Sequence, residues 1–318
     1  AEDLRRRHAR YFLALAERAA PELHGPPQRD WFQQLRAERD NLRAGLAWSL
    51  GHTAQADAEL GLRLVVALRD FWYFDDYSAE GLMWTESALE SAPDAPPATR
   101  ASALNAAGVL CFPQSDYARM KALLLEALEL SRELGDEINA AWALIYLGGA
   151  SLPYPSECAQ ALVMTEQGLS LFRKHDERVG MAIALTILGE LARVDGDYER
   201  ASMAYEECLA LSRKQGFEAR EAISLGNLGY VAQHESDYER AESLIKEALA
   251  LFWQTTRQGQ QIAFCLAALA GPVVAQGHPE RAARLLAASE AVLEALGAQR
   301  HAGDQFEVER YVVTVREQ

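Results

Sequence analysis

A unit of about forty residues recurs along this chain, and no other feature limits its fold as strongly. The clearest copies are Leu188–Gly216 and Leu228–Phe252, in which Gly189 and Gly229, Tyr198 and Tyr238, and Ala201 and Ala241 each stand 40 positions apart. An earlier copy carries Gly108, Asp116 and Tyr117, then Glu126–Asp136. Another carries Leu147, Gly148, Ala161 and Glu166–Asp176, with one extra residue in its turn. A degenerate copy ends in Gly277–Glu290. A period of this size marks stacked supersecondary units rather than independent domains.

Each unit reads as two antiparallel helices. Small residues at Gly108, Gly148, Gly189, Gly229 and Ala270 sit in the first helix. Glycine inside a helix costs about 1 kcal/mol relative to alanine, so its recurrence there calls for close helix approach. The turn then carries Gly-Asp or Ser-Asp (Gly196–Asp197, Ser236–Asp237, Ser115–Asp116), and the aspartate can cap the second helix. The following tyrosine anchors the turn, Ala201 or Ala241 marks the helix crossing, and Leu209, Leu211, Leu249 and Leu251 extend an apolar stripe. "ELGD" and "KQGF" end their helices through a glycine. One hairpin cannot bury its own apolar face, so the units stack into a superhelix. The fold class is all-α, an α-α superhelix of helical hairpins.

Outside the clear copies the chain stays helical. Gly61–Ser91 reads as a divergent hairpin in which Trp72, Tyr73 and Trp84 replace the small contacts. A Pro-rich connector, Ala92–Thr99, follows it. Leu4–Leu23 is a helix ended by Gly25-Pro26-Pro27, and Arg29–Leu50 reads as one helix of about six turns with a stripe at Trp31, Leu35, Leu42, Leu46 and Leu50. Asp304–Gln318 reads as a closing helix with polar outer residues. The β-branched residues of Tyr311–Val315 would also permit a strand. The expected organisation is N-terminal helices and a divergent hairpin over 1–99, repeats over 100–296 and a capping helix over 297–318, all in one solenoid.

The 318 residues, 49% of them hydrophobic, suffice for a large core. A formal charge of −15 argues against an extended nucleic-acid footprint, which needs clustered Lys and Arg. The longest apolar runs are about half of the roughly 20 residues a membrane helix needs. Cys111, Cys158, Cys208 and Cys265 are far apart among apolar neighbours, in no metal-ligand spacing, which fits a reducing, cytoplasmic setting.

The repeat resembles the tetratricopeptide repeat family in a forty-residue form, through the Leu-Gly of the first helix, the Gly-Asp-Tyr turn, and the Ala and Ala-Leu of the second. That resemblance covers Arg100 to about Leu296. The N-terminal block (Gln28, Trp31, Leu35, Glu38, Asp40–Ala44, Ala47-Trp48), Phe71-Trp72-Tyr73 with Glu80-Gly81 and Trp84, and the tail Leu269–Ala298 are similar to the repeat region of bacterial STAND-class signalling ATPases of the LuxR-like, SARP-like and maltose-regulon-activator type. The resemblance implies a sensor part, with an ATPase module upstream and any DNA contact on another domain. The opening at Ala1, already in helical pattern, agrees with a fragment.

Catalytic chemistry finds no support in the residues. No Walker-type loop, nucleophile elbow or H-E-x-x-H is present. The seven histidines (His8, His24, His52, His175, His234, His278, His301) are scattered, and the DGDYE run at Asp195–Glu199 lacks the later ligands of a calcium loop. The expectation is therefore no catalytic residue, no metal and no cofactor. In the tetratricopeptide frame the first helices line the concave wall. That frame places Asn105, Trp142, Tyr146, Glu190, Arg193, Asn227, Tyr230 and Gln233 in a groove, with Val109, Phe112, Ile145, Leu152, Thr186, Ile187 and Gly226 around them. Such a mixture of aromatics, amides and one Glu/Arg pair suits a peptide, a protein partner or a small-molecule inducer. Packing alone also accounts for Trp142 and Tyr146, and Glu190 with Arg193 reads equally as an exposed i,i+3 ion pair. The alternative function is a passive interaction or self-assembly scaffold, with a homo-oligomer as one form. That version expects an exposed apolar patch around Phe71–Phe74 or Trp253.

Overall fold

A computed structural model describes residues 2–51, 55–255, 259–300 and 302–317; His52 and His301 lie outside the described residues. Sixteen α-helices and no strand occur among them. Contacts divide the chain into two compact units, Ala1–Leu147 and Gly148–Gln318. This boundary falls near the end of a helix, whereas the division at 99 and 296 followed repeat quality, a different property.

Unit 1 holds α1 (Glu2–Ala19), α2 (Gln28–Ala37), α3 (Arg39–Leu50), α4 (Gln55–Phe74), α5 (Ser78–Ser91), α6 (Pro97–Cys111), α7 (Tyr117–Leu134) and most of α8 (Glu137–Gly149). The single helix expected over Arg29–Leu50 is two helices, interrupted at Glu38, which has φ −97° and ψ 7°. Asn41 Nδ2 donates to Glu38 Oε2 at 2.7 Å, closing the first turn of α3. The apolar stripe crosses this break, with Leu35, Leu42 and Leu46 buried and its ends Trp31 and Leu50 half-buried; Phe32, not Trp31, is the aromatic that enters the core. Helix α4 pairs with α5 and α6 with α7. In the divergent α4–α5 hairpin the small residue has changed sides. Gly81 on α5 receives the Trp72 ring from α4, and a Cβ there would stand 2.7 Å from the indole. The Pro-rich connector is only a short turn, with Pro97 opening α6 where a missing N–H costs nothing.

Unit 2 holds α9 (Cys158–Lys174), α10 (Arg178–Val194), α11 (Tyr198–Gln215), α12 (Glu218–His234), α13 (Tyr238–Gln254), α14 (Gly259–Ala275), α15 (Pro279–Leu296) and α16 (Ala302–Glu317). Hairpins form as α10–α11, α12–α13 and α14–α15. The residue Tyr311–Val315 stretch is helical, within α16.

The repeat's local chemistry operates as its residues predict. Asp116, Asp197 and Asp237 accept from the backbone N–H of Arg119, Arg200 and Arg240 at 3.2, 3.0 and 3.1 Å. Each contact satisfies a donor that the first helical turn leaves open. Gly135 and Gly216 end α7 and α11 at φ 66° and 71°, the left-handed region where a side chain is strained. Gly108, Gly148, Gly189 and Gly229 admit Leu124, Thr165, Tyr205 and Ile245 respectively into the hairpin seam. Tyr205 is fully buried against Gly189, and Phe172 is fully buried against Gly180. All four cysteines are buried and reduced; burial pushes the Cys111 thiol up to about 12, so it stays protonated.

Candidate functional site

The first helices of unit 1 present two kinds of group. Asn105, on α6, is buried and donates through Nδ2 to the Asn139 carbonyl at 3.0 Å and to Asn139 Oδ1 at 3.3 Å. Asp136 fixes Asn139 in turn, accepting from its backbone N–H at 3.0 Å and its Nδ2 at 2.7 Å. The Asn105 Oδ1 atom is buried with no hydrogen-bond partner. Unmet acceptors of this kind are rare in folded proteins and mark either strain or a missing partner.

One turn beyond Asn139 on α8, half-buried Trp142 stacks on Tyr146 with ring centroids 5.6 Å apart and planes 20° apart. The guanidinium of Arg69, from α4, lies over Trp142 at 5.2 Å. Asp70 pairs with Arg69 at 2.9 Å and with His24 Nε2 at 3.0 Å. Burial works against the Asp70 carboxylate, yet Arg69 and His24 hold it well below the usual carboxylate range. Arg69 is thereby fixed above an aromatic face, a cation–π arrangement that suits a flat or anionic group. Sequence reasoning named Trp142 and Tyr146 but missed Arg69, since nothing in the period links α4 to α8. Unit 1 also carries an open groove of about 510 Å³ between α1 and α3, lined by Leu4, His8, Ala44 and Trp48.

In unit 2 Arg193, Asn227, Tyr230 and Gln233 are buried, and α16 contacts Arg193 and Gln233. Arg193, on α10, is 3% exposed at its side chain and meets Asp304 of α16 at 3.1 Å. Its guanidinium also lies over the Tyr230 ring at 4.9 Å. Burial opposes the Arg193 charge, but Tyr205, Asp304 and Tyr230 keep it protonated. Arg193 is thus a buried cation facing a carboxylate 111 positions away, with the charge of Glu190, half-buried one turn earlier, also acting on it; the exposed setting allowed for that pair is what differs. Tyr230 packs edge-on against Phe264, and its buried hydroxyl has no hydrogen-bond partner. Gln233 donates to the Ala268 carbonyl at 3.2 Å and accepts from the Tyr311 hydroxyl at 2.6 Å. Asn227, one turn before Tyr230 on α12, is 3% exposed.

The structure therefore brings Arg193, Tyr230 and Gln233 together and adds Asp304 and Tyr311, which sequence reasoning missed. A signal was present: Asp304, Val308 and Tyr311 are spaced i, i+4, i+7 and share one helix face. Among the described residues no His/Cys/Asp/Glu group could hold a metal ion, and no helix is long and apolar enough to cross a membrane.

These hairpins define a class of fold, the tetratricopeptide-like helical repeat. Residues 180–254 match the tetratricopeptide repeat family model. No curated protein matches the sequence. The apo form of RapI superposes with a TM-score of 0.63 at 15% identity, covering 83% of this chain and 96% of that one. NprR in complex with its cognate peptide NprX gives 0.61 at 14%, covering 90% and 79%. A signal transduction ATPase with numerous domains (STAND) protein with a tetratricopeptide repeat sensor, from Pyrococcus horikoshii, gives 0.51 at 14%, covering 93% of this chain and 53% of that one. At these identities the likeness is one of fold.

Proposed function

We propose that this chain is a non-catalytic sensor that binds an inducer or partner on its first-helix faces and belongs to a signalling ATPase that regulates transcription. The reading takes 100–296 as the repeat array, 1–99 as N-terminal helices with a divergent hairpin and 297–318 as a capping segment. It assigns ATP turnover and DNA contact to other parts of such a protein, and a cytoplasmic setting to this one. Unspent polar groups on the first helices carry it: the Asn105 Oδ1 and Tyr230 hydroxyl are buried without partners. A half-buried tryptophan, stacked on Tyr146 under a fixed arginine, adds to this in unit 1. NprR in complex with its peptide and the STAND sensor lend the analogy of similar folds.

A thermal-shift screen of peptides and small polar ligands tests the reading, with Trp142→Ala as control. Sensing expects a ligand that raises Tm in the unaltered chain and loses most of that effect in W142A or N105A. No shift from any ligand, together with a native mass that rises with concentration, would favour the scaffold instead. That second reading draws on Trp253, which is 61% exposed. Its other expected patch is absent, because Phe71, Trp72 and Phe74 are buried in the core of unit 1.

A further inference from the structure

We propose that α16 is a built-in occupant of the unit 2 face, a helical latch that an acidic partner helix displaces. The partner's chemistry follows from the latch: a carboxylate and, seven residues later, a tyrosine on the same helix face. This deepens the sensor reading and rests on its assignment of the first-helix face as the binding surface.

Helix α16 does not extend the stack. In unit 2 the first helix of each hairpin packs on its own second helix and, within the hairpin before it, more on the second helix than on the first: α12 on α11 rather than α10, and α14 on α13 rather than α12. Helix α16 reverses this: it packs more on α14 than on α15, and its side chains reach Gln233 of α12 and Arg193 of α10. It has folded back over the first-helix face. The face is shaped for it, since a Cβ at Gly271 would collide with Gln233 Oε1 and the Tyr311 ring.

The hold includes a polar clasp on one face. Among its described side chains Asp304, Val308 and Tyr311 are buried, with Glu307, Val312, Thr314 and Val315 partly so. A terminal helix packed on one face opens more readily than one buried on several sides. Lifting it would separate Arg193 from the Asp304 carboxylate, one of the groups that keep its charge favourable, and so costs free energy. The face therefore favours exchange of one acidic helix for another over standing empty. Tyr230, whose buried hydroxyl has no partner, offers a contact that α16 leaves unused.

The test uses the full chain and a labelled synthetic peptide of residues 299–318 as probe. In the unaltered chain the tethered α16 competes at the millimolar effective concentrations typical of a short linker and masks the face. Asp304→Asn with Tyr311→Phe weakens the latch, so the probe should bind that variant at least about tenfold more tightly. Adding Arg193→Met, or changing the probe's own Asp304 to Asn, should abolish the gain. Equal probe binding by the unaltered and weakened chains, or no binding by either while both remain folded, overturns the proposal.

Hydrogen exchange on the unaltered chain decides the matter even where the variant fails to fold. The α16 amides should exchange at least about 100-fold faster than those of α12 and α14. Equal protection would make α16 a permanent part of the core and end the latch idea. A failure of sensing is distinguishable. If no external ligand shifts Tm even in the weakened chain, the sensor reading falls while the probe result stands. If a ligand binds while α16 protection stays unchanged, only the latch falls.

Discussion

Units 1 and 2 both carry polar residues on their first helices, before the seam glycine at Asn105 and after it at Arg193 and Gln233, but use them in opposite ways. In unit 1, Asn105 spends its amide on Asn139 and ties one first helix to the next, while the Trp142–Tyr146 stack stays half-open under Arg69. In unit 2, Arg193 and Gln233 are spent on a helix that closes the chain's own face. The contrast teaches that a repeat offset fixes which side of the hairpin a residue faces but not what it meets there. What it meets is decided by segments outside the period.

The contrast can be broken most strongly at Arg193. Arg193→Met strands Asp304 in a buried place and should lower stability by about 3 kcal/mol in urea unfolding, and Arg193→Met with Asp304→Leu should recover most of that. Recovery would show that the loss came from an uncompensated charge; equal loss in both variants would assign it to packing.

Next in size is the glycine seam. Gly189→Ala drives a methyl into the fully buried Tyr205 ring, and Gly108→Ala drives one against Cγ and Cδ2 of Leu124, which is equally buried. Helix propensity returns about 1 kcal/mol in either case. The net expectation is a loss of about 2 kcal/mol for each of G189A and G108A, read from denaturant midpoints.

Asn105→Ala should cost about 1 kcal/mol, the scale of one buried hydrogen bond, with the near-UV spectrum of Trp142 preserved. The smallest effect is acid sensitivity in unit 1. The Asp70 carboxyl is held below its ordinary value, so its contribution is complete above about pH 4 and is lost as pH falls toward the folded value. Asp70→Asn should therefore flatten the fall in urea midpoint below about pH 4. Asp75, pushed up mainly by burial against the pull of Arg36, has the opposite sign and is common to both chains.

The hairpins were readable because their chemistry is local and repeated. An aspartate three positions before the N–H it caps, a glycine that ends the second helix at Gly216 and a glycine in the seam at Gly189 all lie within about thirty residues of one another. The break at Glu38 was not, because Arg29–Leu50 keeps its apolar stripe across the interruption. Nor was the partner of Arg193: a contact spanning 111 positions leaves no trace in a forty-residue period. The period likewise gave no sign of the burial around all eight groove residues: Trp142 and Glu190 are half-covered, and Asn105, Tyr146, Arg193, Asn227, Tyr230 and Gln233 are buried.

The seam glycines have a consequence for how such a chain can change over evolutionary time. Their partners differ from hairpin to hairpin, being Leu124, Thr165, Tyr205 and Ile245. Recombination that joins the first helix of one hairpin to the second of another would create mismatched seams, some voided and some overfilled. Crossovers placed after Gly135 or Gly216 keep each glycine with its own partner. The heritable module is thus the hairpin bounded by those turns, and whole hairpins are the pieces that can be duplicated, lost or transplanted.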